Sequence, residues 1–109
     1  MNDPVNESVE KLREDLRTEM AQQTAKLGWD ELQRHFARGV VVCIAPELDL
    51  VDVAARFIAD DKAFVESCLA NGQITRPTTD AAARWHAIDA NFWAVVAAPW
   101  VLVQEYTEN

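Results

Sequence analysis

Apolar residues in the first quarter of the chain return every three, four or seven positions, at Val5, Val9, Leu12, Leu16, Met20 and Leu27. A 3.6-residue repeat gathers such positions into one stripe, so the spacing predicts an amphipathic helix of roughly six turns. Asp3 and Pro4 suit its start as a cap and a first-turn proline. Glu7 with Lys11 and Glu10 with Arg13 decorate the solvent side. The stripe is thin at its beginning, and residues 1–8 are expected to fray. Gly28 breaks this helix. Asp30 then caps a second one, Glu31 to Arg38, which Gly39 stops.

The period changes at Val40. Val40 to Ala45 reads VVVCIA, a continuous β-branched run of the kind found in strands buried on both faces, and Pro46 ends it. Asp49 and Asp52 resemble a capping box opening a short helix through Ile58, with Leu50, Ala54, Phe57 and Ile58 inward. Asp60 and Asp61 interrupt and recap. The helix from Lys62 to Ala70 then buries Phe64, Val65, Cys68 and Leu69, and Asn71 with Gly72 closes it. Gln73 to Arg76 is a short strand ahead of Pro77. Thr78 or Thr79 opens a last helix that presents Ala81, Trp85, Ile88 and Phe92 on one face.

Phe92 to Tyr106, FWAVVAAPWVLVQEY, is the most apolar stretch and reads as extended chain at the centre of the fold. A helix there is opposed by Pro99, which lacks a backbone donor and biases Ala98 away from helical geometry. The run is therefore one long bent edge strand or two short strands meeting at Pro99. No Gly, Asn or Asp lies between Trp93 and Val103, which argues against a tight hairpin. The order of elements predicts a single α+β domain over residues 1–109. Its expected form is a small two-layer domain, a three- or four-stranded sheet packed by four to five helices, with segments 40–45 and 93–103 adjacent.

Composition narrows what such a domain does. At 109 residues it can bury a core without staples. A net charge of −8 opposes general binding to nucleic acid or to anionic membrane. The longest apolar run is about twelve residues and contains a proline, below the ~18 needed to span a bilayer. No apolar leader follows the N-terminus, and Cys43 and Cys68 lie far apart in apolar surroundings. Both features predict free thiols in a cytoplasmic protein.

The candidate chemistry is sparse. His86 and Asp89 stand three apart on the last helix, where a carboxylate can orient a histidine as general base, with Glu105 a third candidate. His35 between Arg34 and Arg38 can receive an anion near Gly39. Asp49, Asp52, Asp60 and Asp61 can gather a cation, although helix capping explains them more simply. No metal-ligand spacing, phosphate loop or nucleophile motif occurs, so no cofactor, metal or catalytic residue is assigned. Of the four tryptophans, Trp85 falls on a helical stripe and reads as core. Trp29, Trp93 and Trp100 are the ones whose indoles suit a partner or ligand contact. An apolar edge strand at Pro99 must be covered by the first helix or by a second copy, which makes a homodimer the expected assembly and another protein the alternative.

The segments LGWDELQRHFARGVVVCI, LDLVDVAARFIADDKAFVESCLANGQI and above all FWAVVAAPWVLVQE resemble a family of small bacterial proteins known only as a domain of unknown function, DUF2288. The likeness runs from about Leu12 to Glu105. It implies a bacterial cytosolic protein and carries no activity, ligand or catalytic residue onto any side chain. Two readings follow from the residues. The first is a non-enzymatic interaction or self-association module that uses the C-terminal strand and its tryptophans. The second is a small-molecule binder or enzyme with a pocket between the last helix and the sheet. For these, Trp29, Trp93, Trp100, His86, Asp89, Glu105 and Arg38 are the candidate contacts.

Overall fold

Ten elements follow one another in the computed structural model, which describes residues 4–106 and their side chains from Glu10 onward. They are α1 (Pro4–Gln23), β1 (Ala25–Gly28), α2 (Trp29–Ala37), β2 (Val41–Ile44), α3 (Leu50–Ile58), α4 (Lys62–Ala70), β3 (Ile74–Thr75), α5 (Thr79–Ile88), β4 (Asn91–Ala97) and β5 (Trp100–Tyr106). Asp3 as a cap, and the side chains of Val5, Glu7 and Val9, lie outside the described residues.

The helix boundaries follow local chemistry. Asp49 accepts from the backbone N–H groups of Val51 and Asp52 at 3.0 and 3.4 Å, Asp61 from Phe64 at 3.2 Å, and Thr78 from Ala81 at 3.0 Å. Each satisfies donors that the first turn leaves open. The capping box at Asp49 is only half made, because the Asp52 carboxylate turns to Arg56 at 3.1 Å. Gly39, at φ +74°, takes the left-handed turn that ends α2. Asp30 is not a cap. Gly28 occupies that position, and Asp30 falls in the first turn, where a negative charge suits the helix dipole.

The first helix is shorter than its stripe predicts. Thr24 turns its hydroxyl back onto the Met20 carbonyl at 2.8 Å, and the chain then extends into β1. Leu27 consequently sits on a strand opposite Phe92. The seven-residue step from Met20 fits two helical turns, but pairing with β4 decides the conformation.

The strands form one sheet in the order β1-β4-β5-β2-β3, parallel between β2 and β5 and antiparallel elsewhere. The α+β class stands, with five strands where three or four were expected and helices on both faces. Alternation along the strands divides the core. Val42, Ile44, Val95, Ala97 and Leu102 pack beneath α1, α3 and α4 with Met20, Val53 and Cys68. Val41, Phe92, Ala94, Val101 and Val103 point the other way, against Trp29 and Leu32 of α2 and Trp85 of α5. Val101, Leu102 and Val103 are all buried, as a centrally placed strand requires.

The C-terminal run needs two corrections. β4 and β5 form a tight antiparallel hairpin, from Asn91 opposite Tyr106 to Ala97 opposite Trp100. Its two-residue turn is Ala98-Pro99 with a cis peptide bond, a proline turn that requires neither Gly nor Asn. Moreover, neither strand is an edge, since β4 lies between β1 and β5, and β5 between β4 and β2. The homodimer expectation therefore loses the exposed edge on which it was founded. Phe92 belongs to β4 rather than to the last helix, which ends at the left-handed Asp89. Ile58, Leu69 and Ile88, expected to face inward, are exposed because each lies late in a nine- or ten-residue helix that packs through a narrower side.

Candidate functional site

A concavity of about 530 Å³ forms a groove between α1 and α3. It exists because α1 crosses the sheet only through its C-terminal half. Leu16 and Met20 pack on α3 and β4, while the preceding turns run on beside α3 with polar side chains facing it. The α1 wall carries Glu10, Arg13, Glu14 and Arg17. The α3 wall carries Asp52 and Arg56, and the floor is Ala55 and Ala59. At one end Arg17 reaches Asp49 at 3.4 Å and Asp52 at 3.9 Å. At the other Arg56 joins Asp52 at 3.1 Å to Asp61 at 2.9 Å and lies over the Phe64 ring at 4.2 Å. The Asp52 hydrogen bond, against an opposing desolvation and with Asp61 adding to it, raises the Arg56 guanidinium above its ordinary value. Glu10, Arg13 and Glu14 enter no ion pair among the described residues.

A second cleft, about 420 Å³, lies between α5 and the sheet. Glu105 stands in it, and its Oε1 accepts from both the Arg84 guanidinium and the Trp85 indole N–H, tying β5 to α5. Cys43 is beside it. Burial, then the Glu105 charge, pushes its thiol up to about 11, so at neutral pH it is a protonated thiol and not a nucleophile.

The structure scatters the other predicted residues. His86 and Asp89 are exposed at the end of α5, joined by a backbone hydrogen bond from Asp89 N–H to the His86 carbonyl at 3.3 Å, and neither lines the Glu105 cleft. Arg38 is an exposed C-cap of α2, and the Gly39 carbonyl beside it accepts from Arg76. Trp29 is buried between Phe36 and Trp85 with its Nε1 unpartnered. Trp93, 38% exposed, meets Tyr106 edge-on at 5.5 Å, and Lys26 reaches over both rings. Trp100 is half-buried in a hollow beside α4, with Arg76 5.1 Å from its ring centroid. Asp49 and Asp61 are spent on caps, and Asp52 and Asp61 on Arg56. Among the described residues no group of three or more His, Cys, Asp or Glu is placed to hold a metal ion. The groove residues Glu10, Arg13, Glu14 and Arg17 were legible only as a solvated helix face, because nothing local says that α3 lies alongside.

A five-stranded α+β sheet with helices on both faces and an open charged groove on one helical layer defines the class of domain. The chain belongs to the family described as protein of unknown function (DUF2288), whose model matches residues 15–105. It is similar to PA1075 from Pseudomonas aeruginosa, known from an NMR solution structure, with 39% identity and a TM-score of 0.74 over 86% of this chain and 87% of that one. No curated protein matches it.

Proposed function

We propose that the chain is a non-enzymatic protein-interaction module whose docking surface is the groove between α1 and α3. The observation that carries this reading is the groove itself: an open channel of about 530 Å³ between two helices, with a small-residue floor and with three charged side chains on its rim, Glu10, Arg13 and Glu14, that enter no ion pair among the described residues. Two helical walls leave room for a third helix lying between them, and a helix can present the opposing charges. The cytoplasm is the compartment that suits it. Cys43 and Cys68 face opposite layers of the sheet and cannot join within one chain, so both serve as free thiols.

A photo-crosslinking residue at position 13, in the full chain expressed in cells of its source organism, tests the reading. Crosslinked protein products from position 13, absent from a control at the exposed Glu31, are the expected outcome. Equal crosslinking at both positions refutes it. The Glu105 cleft supports a second reading, small-molecule binding, because a carboxylate and Arg84 do converge there. A metabolite that raises the melting temperature, and loses that effect in Glu105→Gln, favours the cleft instead.

A further inference from the structure

We infer that the partner in the groove is α1 of a second copy of this chain, laid antiparallel across a twofold axis. This rests on the groove being a docking surface and names its occupant. The argument is the order of charges along the α1 wall. Glu10, Arg13, Glu14 and Arg17 recur at helical spacing on the side turned to the groove and read acid, base, acid, base. Read backwards the same four are base, acid, base, acid. An isologous interface must be complementary to itself. Here an axis passing between Arg13 and Glu14 sets Glu10 level with the partner's Arg17, and Arg13 level with the partner's Glu14. The symmetry repeats both pairs, so all four charges meet opposites. Antiparallel helices keep these levels matched because every residue advances by the same rise of about 1.5 Å.

Three further features agree. Copies of a chain with net charge −8 repel over most approaches, whereas this strip holds two acids and two bases and approaches itself without net repulsion. The floor residues Ala55 and Ala59 are small, so a second helix can come close. Arg17 already faces Asp49 and Asp52, but a guanidinium has five N–H donors and can serve another carboxylate.

Sedimentation equilibrium on the full chain, from about 1 μM to about 1 mM, reads the outcome directly as a dissociation constant. The wild type is expected to form dimers that weaken as salt rises. Arg13→Glu puts a carboxylate against the partner's Glu14 at two symmetric places and is expected to weaken the dimer about tenfold or more. The double variant Arg13→Glu, Glu14→Arg restores the alternation across the axis and is expected to recover most of the loss. These side chains are exposed, and circular dichroism confirms that each variant folds. A wild type that stays monomeric throughout, a dimer indifferent to Arg13→Glu, or a double variant as weak as the single one overturns the inference. Crosslinks from position 13 to a different protein, with no dimer, overturn it while leaving the docking reading in place. An absence of crosslinks from position 13 together with a wild type that stays monomeric removes both.

Discussion

Leu102 and Val96 lie in the same apolar run, face each other's strand in one hairpin, and have opposite fates. Leu102 is fully buried at the centre of β5 beneath α3, and Val96 on β4 is 53% exposed. Truncating Leu102 to Ala removes three carbons from a close-packed layer bounded by Val95, Val53 and Ala54, which leaves little freedom to collapse. The expected loss is about 2–5 kcal/mol, the transfer term plus the residual cavity. In a domain of this size, 1 kcal/mol moves the melting temperature by about 4–8 °C, so Leu102→Ala should fall by about 10 °C or more. Val96→Ala loses little burial and should cost less than about 1 kcal/mol, mostly strand propensity. Urea unfolding followed by tryptophan fluorescence measures both, with an unchanged slope showing that the unfolded states are comparable. Should Leu102→Ala not fold, Leu102→Val removes a single CH₂ and is expected to cost about 0.8 kcal/mol. A Val96→Ala loss equal to or larger than that of Leu102→Ala would refute the placing of Leu102 in the core beneath α3 and of Val96 outside it.

Two further outcomes follow from the site geometry. Cys43, with its thiol pushed up to about 11 chiefly by burial and further by Glu105, should alkylate slowly at neutral pH. Its rate should climb about tenfold per pH unit between pH 8 and 10, because only the thiolate reacts. Raising the folded value means that the thiol form is the one the fold favours, so any stability it lends is full below about 9 and lost as pH rises through about 11. Mass spectrometry of iodoacetamide adducts checks the profile, and a plateau already reached by pH 9 contradicts it. Asp49→Ala should cost about 1 kcal/mol by stripping the α3 cap, whereas Asp49→Asn, which can still accept, should cost much less. Equal losses would show that the exposed Arg17 ion pair, and not the cap, was the contribution removed.

Stretches whose conformation is decided by their immediate neighbours were legible from the residues alone. The VVVCIA run is a strand buried on both faces because its side chains leave no polar side to turn to water. Asp49, Asp61 and Thr78 cap helices, and Gly39 and Gly72 take positive φ after them, because those functions lie within a few residues of the backbone groups they serve. Pro99 marked a bend or break in the C-terminal run for the same reason, but not the tight hairpin that forms there. Tertiary structure decided the rest. Whether Leu27 continued a helix or joined a strand depended on Phe92, sixty-five positions away. Whether the hairpin strands were edges depended on β1 and β2 closing against them. Glu105 met Arg84 and Trp85, and not His86, because of how α5 lies across the sheet. The α1 wall became one side of a groove only when α3 settled beside it. Caps and turns are satisfied within a few residues, whereas pairing and coverage gain their free energy only when distant segments assemble, and the sequence of either segment alone carries no record of the other.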